Sequence, residues 1–148
     1  MSTEPFVIER VLNAPVSSVW KAISNKDAMK DWYFDMHNFK LEIGNKFEFT
    51  AGGPEQKYLH LCKITEIVPQ QKLAYTWRYD GYEGDSMVTF ELFAEPASSE
   101  GGGDKTRLKL THEGLETFPP LKSFRKENFA AGWAEITGKM LKDFVEKE

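Results

Sequence analysis

The residues of this chain that are best placed by type and spacing to meet a ligand are aromatic rather than charged. In Leu73-Ala74-Tyr75-Thr76-Trp77-Arg78-Tyr79, strand alternation puts Tyr75, Trp77 and Tyr79 on one face with Leu73, and Ala74, Thr76 and Arg78 on the other. Val88, Phe90 and Leu92 share a face of the next extended segment. Leu108, Leu110 and His112 share one in the last, while Arg107, Lys109, Thr111 and Glu113 point away. An apolar wall with a few polar tips, here tyrosine hydroxyls and an imidazole, suits a small amphipathic molecule: the wall supplies affinity and the tips orientation. The same rows also describe an ordinary core, because large side chains on the buried face of a strand need no further explanation.

His112 ends an inward-facing row. It is suited either to acid–base work or polar recognition near neutral pH, or to a structural hydrogen bond. Tyr58, His60 and Cys62 share a strand face, and an i, i+2 His/Cys pair can begin a metal site. Two ligands are too few, and only His37 and His112 remain, so neither a metal nor a Cys/His nucleophilic pair is expected. A glycine-rich phosphate loop, a nucleophile elbow and an HExxH helix are absent from the sequence, so no cofactor and no catalytic residue is assigned. Trp32-Tyr33-Phe34 leaves a short helix near one mouth of the fold, either as a lid or, for Trp32, as a plug for the helix pair. The candidate ligand wall and mouth therefore comprise Trp32, Phe34, Tyr58, Trp77, Phe90, His112 and Trp133.

The elements that must position these residues follow from period and punctuation. Phe6 to Leu12 is β-branched and partly alternating, and Asn13-Ala14-Pro15 hands it to a helix from Val16 to about Ile23 with Val16, Val19, Trp20 and Ile23 on one stripe. Ser24 and Asp27 stand at capping-box spacing before a second short helix from about Lys26 to Trp32. From Phe39 the period is two, and turn signals divide the chain into six strands at about 38–43, 46–51, 57–68, 72–79, 86–95 and 105–113. The connections are too short for helical crossovers, so the strands form an antiparallel meander, with Ser98 to Asp104 as a polar hairpin tip. After Phe118-Pro119-Pro120 the helical period returns with Phe129, Trp133, Ile136, Met140 and Phe144 on one aromatic stripe. Gly132 and Gly138 each cost that helix about 1 kcal/mol relative to alanine. A close neighbour beside Gly132, or a tolerated surface glycine, would account for the first. The expected fold is α+β of the helix-grip kind, in the order β-α-α-β6-α, a single domain over residues 1–148 in which a curved antiparallel sheet wraps a long C-terminal helix.

Composition narrows the partners. A formal net charge of −4 with 28% charged residues and no Lys/Arg cluster gives no footprint for a phosphate backbone, so no nucleic acid is expected. Cys62 is the single cysteine, which excludes an intramolecular disulfide and suits a reducing compartment. The N-terminus lacks a basic start and an apolar core, and no apolar run approaches the roughly 18 residues of a membrane span. A cytoplasmic protein without membrane insertion is expected.

Several stretches, in order along the chain, resemble the START-like superfamily of helix-grip proteins (SRPBCC, with a Bet v-like fold), and within it homologues of the C-terminal domain of a heat-shock-chaperone ATPase activator. They are Ile8-Glu9-Arg10-Val11 with Asn13-Ala14-Pro15 and Val19-Trp20, then Trp32, Tyr75-Thr76-Trp77, Val88 to Leu92, Thr106 to Gly114, and Gly132-Trp133. The resemblance implies a cavity between sheet and long helix, in a superfamily that includes lipid and hormone carriers, cyclases and hydroxylase subunits. The eukaryotic activators carry a separate N-terminal domain that contributes chaperone binding and ATPase stimulation, whereas this chain begins at the START-like strand. What the resemblance implies is first a binder of a small hydrophobic or amphipathic ligand. A module associated with a heat-shock chaperone comes second, and a cyclase- or hydrolase-type enzyme third.

Overall fold

The first strand of the chain pairs with the last and forms one edge of the sheet. In the computed structural model, which describes residues 5–32, 38–52, 57–95, 105–118 and 126–146, six antiparallel strands lie in the order β1-β6-β5-β4-β3-β2. They are β1 (Phe6–Leu12), β2 (Lys46–Gly52), β3 (Lys57–Val68), β4 (Lys72–Tyr79), β5 (Ser86–Glu95) and β6 (Lys105–Glu113). β1 runs against β6 from Phe6 opposite His112 to Leu12 opposite Thr106. In β6 every second side chain is buried, Thr106, Leu108, Leu110 and His112 among them, so the sheet has one dry face and one wet one.

Helices α1 (Val16–Ser24) and α2 (Lys26–Trp32) fill the long step from β1 to β2. Pro15 presets the first turn of α1, and its carbonyl accepts the N–H groups of Ser18 and Val19 at 3.0 and 3.2 Å. The break between the helices is capped by Asn25, whose Oδ1 accepts the Ala28 N–H at 3.0 Å. Ser24, expected as the cap from its spacing to Asp27, turns back instead and donates to the Trp20 carbonyl at 2.6 Å. After β6, a 3-10 turn (Leu115–Thr117) leads towards the C-terminal helix. That helix consists of α3 (Lys126–Glu135), a π-helical segment (Ile136–Leu141) and α4 (Lys142–Val145). Among the described residues no helix is long and apolar enough to cross a membrane.

Two expectations need correction. No strand forms over 38–43, so five strands, not six, follow the helix pair and the expected order β-α-α-β6-α shortens accordingly. Asn38 and Gly44 take left-handed backbone conformations (φ 65° and 86°) and fold the intervening residues into a loop. The loop reaches β3 at its end, where the Gly44 N–H donates to the Ile64 carbonyl at 2.7 Å. Phe39 alone of its apolar trio enters the core, edge-on to Phe47 at 5.0 Å, while Leu41 and Ile43 stay exposed.

The second correction concerns the C-terminal helix. Its buried stripe is Phe129, Trp133, Thr137, Leu141 and Val145, with Ile136, Met140 and Phe144 half-buried beside it. In an α-helix a four-residue step overshoots a full turn by about 40°, so such a stripe creeps around the helix. The wider π turn absorbs about one extra residue, or about 100°, and returns Leu141 and Val145 to the buried side. Gly132 faces open space, with nothing within 4 Å of where a Cβ would stand, and is a surface glycine.

Candidate functional site

The inward rows of β4, β5 and β6 and the stripe of α3 meet at Trp77 and Trp133, whose ring centroids are 5.4 Å apart. On one side of this contact Phe90 touches Trp133 (6.0 Å) and Tyr75 (6.1 Å), and Tyr75 continues to Phe47 at 5.2 Å. On the other side Trp77 meets His60 (4.8 Å) and Phe49 (5.5 Å), and His60 stacks on Phe49 at 4.5 Å. His60 also abuts Tyr79 (4.7 Å), and from there the rings run to Tyr58 and on to Tyr82, each step 5.6 Å. Tyr58 and Tyr82 are half-buried, so this aromatic surface reaches the outside of the molecule.

The far end of the surface is held by the 3-10 turn. Thr117 Oγ1 accepts the Asp85 N–H at 2.8 Å and lies 2.6 Å from the Gly114 carbonyl and 2.9 Å from the Asp85 carbonyl, to one of which it donates. Gly84 makes this docking possible, since a Cβ there would stand 2.5 Å from Phe118 Cδ1 and 2.8 Å from the Thr117 carbonyl oxygen. Phe118 is thereby set edge-on to Tyr79 at 5.2 Å and stacked on Phe129 at 6.0 Å.

Of the residues singled out from the sequence, Trp77, Phe90, His112 and Trp133 come together at the sheet–helix contact, and Tyr58 joins them through Tyr79. Trp32 lies apart. Its Nε1–H donates to the Ala22 carbonyl at 2.8 Å and the ring is buried between α1 and α2, which makes it a plug for the helix pair. Phe34 lies outside the described residues.

His112 is fully buried and both its ring nitrogens are engaged. The Trp133 Nε1–H donates to Nδ1 at 3.0 Å, and Nε2 lies 2.8 Å from Ser86 Oγ, which donates to the Trp77 carbonyl at 2.7 Å. An indole nitrogen can only donate, so Nδ1 must offer a lone pair and the imidazole proton must sit on Nε2. The Ser86–His112 spacing is that of a nucleophile and its base, but the proton order is reversed: the nitrogen that would have to accept the serine proton already carries one. The chain from Trp133 to the Trp77 carbonyl is therefore a tie between helix and sheet. Burial lowers the His112 pKa to about 3, with a smaller contribution from His60, and keeps the ring neutral.

The neighbouring groups are just as quiet. Burial lowers the pKa of His60 to about 4, against hydrogen bonds that include the one from Nδ1–H to the Tyr58 carbonyl at 3.0 Å. Burial pushes the Cys62 thiol and the Tyr79 phenol well above their ordinary ranges, so neither is an anion at neutral pH. Among the described residues no group of three or more His, Cys, Asp or Glu side chains is placed to hold a metal.

Sequence reasoning passed over Ser86, Tyr82 and Phe118. Ser86 was within reach: it precedes Val88 and Phe90 on the inward row of β5, and the pairing of Val88 with His112 brings it diagonally beside the imidazole. Phe118 carries no such signal, because its place depends on the docking of the 3-10 turn. A separate groove of 680 Å3 lies on the opposite face of β2, β3 and β4, with Lys46, Glu48, Leu61, Lys63, Thr76 and Arg78 among its lining. Its walls mix both charges and belong to the wet side of the sheet.

Comparison with known proteins gives this arrangement its relatives. No curated protein matches the chain in sequence. Protein CV1439 from Chromobacterium violaceum is 28% identical, with a TM-score of 0.75 over 97% of this chain and 98% of that one. MLL2253 from Mesorhizobium loti is 24% identical, with a TM-score of 0.74 over 97% and 98%. DynU16, a protein of the dynemicin biosynthetic locus, shares the fold at 18% identity and a TM-score of 0.75, over 98% of this chain and 48% of that one. The family model described as activator of Hsp90 ATPase homolog 1-like protein matches residues 13–146. With the helix-grip sheet and the sheet–helix aromatic contact in place, the chain belongs to the activator of Hsp90 ATPase homolog 1-like family, within the START-like proteins.

Proposed function

We propose that the protein is a single cytoplasmic binding domain for a small hydrophobic or amphipathic molecule, held against the inner face of the sheet beside the Trp77–Trp133 contact. The observation that carries this reading is the continuous row of ring contacts from the buried Trp77, His60 and Tyr79 out to the half-buried Tyr58 and Tyr82. It is apolar, reaches the outside and carries tyrosine hydroxyls at its outer end, which suits a molecule with one polar terminus. Binding of hydrophobic ligands, common in the family, supports the same reading. Turnover is not part of it: the proton order at His112 and the raised pKa values of Cys62 and Tyr79 leave no activated acid, base or nucleophile among these groups. Trp77, Phe90, His112 and Trp133 form the inner wall and Tyr58 the mouth, with Phe34 proposed as a further mouth residue; Trp32, bonded to the Ala22 carbonyl, plugs the helix pair instead.

Native mass spectrometry after incubation with a panel of fatty acids, sterols and aromatic polyketides tests the reading. A one-to-one adduct is expected, weakened at least about tenfold by Trp77→Ala, the loss of one large aromatic contact. Failure of every member of the panel to bind folded protein would remove it. The family description favours a second reading, a chaperone-associated module. It predicts a change in chaperone ATP turnover in a coupled assay, and an unchanged rate at saturating protein excludes it.

A further inference from the structure

β1 turns Phe6, Ile8, Arg10 and Leu12 towards the C-terminal helix, and Arg10 breaks this otherwise apolar row. It stands opposite Leu108, which is fully buried. Arg10 Nε is itself buried and has no hydrogen-bond partner among the described residues, and none of the ion pairs formed there involves this side chain. Directly above lies Gly138 in the π-helical segment, where a Cβ would stand 3.0 Å from Nε and 3.4 Å from Nη2. The guanidinium fits against the helix because that side chain is missing.

Three features that each cost stability thus coincide at one point: a glycine inside a helix, a π turn and a buried donor left unmade. Unsatisfied buried groups and π turns both concentrate where a ligand completes the structure.

We propose that Arg10, seated under the π-helical turn at Gly138, is an anion-recognition group, and that the molecule it holds carries a carboxylate or phosphate. Nε and one terminal nitrogen share an edge of the guanidinium, the edge that grips two oxygens of a carboxylate or phosphate side-on through parallel hydrogen bonds. That the anion is the head of an amphipathic ligand rests on the function proposed above; a free small anion is the other source of the same chemistry. Arg10 stands level with Leu108 and Leu92, and Trp77 level with Ser86, so over the sheet the two are three strand spacings apart across and six residues apart along, about 24 Å, of which a medium-length alkyl chain seated at Arg10 covers about half.

The test is a titration of the full chain followed at the Arg10 Nε–Hε resonance, with decanoate and decyl phosphate, with uncharged decanol, and with acetate and inorganic phosphate. The expected result is a saturable shift of Nε–Hε with the charged amphiphiles. They should bind at least about tenfold more tightly than decanol, the effect of one charge-assisted bidentate contact. Arg10→Gln should abolish that preference and leave decanol binding in place. Gly138→Ala keeps the charge but crowds Nε, and should reduce the same preference. A shift with acetate and phosphate in a protein that ignores decanol would support the anion seat and remove the apolar-ligand reading. Equal binding of decanol and decanoate with Nε–Hε unmoved would overturn the seat and leave the apolar reading standing. Silence from every probe in wild-type protein would overturn both, whatever the variants do.

Discussion

At His112 both hydrogen bonds run to side chains, one from the helix and one from the next strand, so a single buried ring holds two layers in register. His112→Ala removes the ring, orphans the Trp133 Nε1–H and opens a cavity among Trp77, Phe129 and Trp133. The expected loss is about 3–5 kcal/mol in urea unfolding, the sum of a cavity and a buried unmade donor. A loss below about 1 kcal/mol would show that the tie contributes little. The inward direction of His112, Trp77 and Phe90 was legible in the sequence because strand alternation is strict. The partners of His112 were not, because they depend on the β5–β6 register and on where the helix crosses. Arg10 was legible by the same alternation, as a charge within the row Phe6, Ile8 and Leu12; its lack of a partner was not.

Among the elements, β3 to β6 stand where turn chemistry placed them, since Gly81, Gly84 and the Pro69-Gln70 turn punctuate the chain at the hairpin corners. The loop over 38–43 imitates a strand because Phe39, Leu41 and Ile43 alternate, yet the left-handed Asn38 and Gly44 at its ends bend it away from pairing. The C-terminal helix was legible as a helix and its buried face as far as Phe129 and Trp133; beyond them the face passes to Thr137, Leu141 and Val145, because a π turn inserts a phase shift that an α-helical period does not contain. Two glycines in that helix separate propensity from contact. Gly132→Ala should raise stability by about 0.5–1 kcal/mol, since its Cβ meets open space. Gly138→Ala has the same gain in propensity set against a clash with Arg10 Nε, so its urea midpoint should fall below that of Gly132→Ala. Equal midpoints for the two variants would show that the guanidinium moves aside freely.

The whole molecule is a meander extended at its β6 edge by its own first strand, and its core carries two imidazoles that must stay neutral. Their pKa values lie at about 4 for His60 and about 3 for His112 in the folded protein, against 6.5 for an unperturbed ring. Below pH 6.5 the unfolded chain binds more protons than the folded one, so these two groups contribute their full stability above that value and lose it as pH falls. The slope should approach about 2.7 kcal/mol per pH unit while both rings contribute, and halve once His60 titrates in the folded state. Urea unfolding between pH 7.5 and about 3.5 checks this; a flat profile for the difference between wild type and His60→Phe would contradict the His60 share. At this scale the family was legible because the weak motifs occur in sequence along nearly the whole chain, and the meander of β2 to β6 because its connections are short; the pairing of β1 with β6 was not, because it joins the two ends of the chain. The site was legible only as a set of inward aromatics, since the same rows serve a filled core and a ligand wall alike. An indole-resolved NMR titration with a medium-chain amphiphile separates these two uses. The account predicts saturable shifts of the Trp77 and Trp133 Nε1–H resonances, which report the bonds to Tyr79 and His112. Shifts confined to Glu48, Leu61 and Arg78 on the opposite face would contradict it.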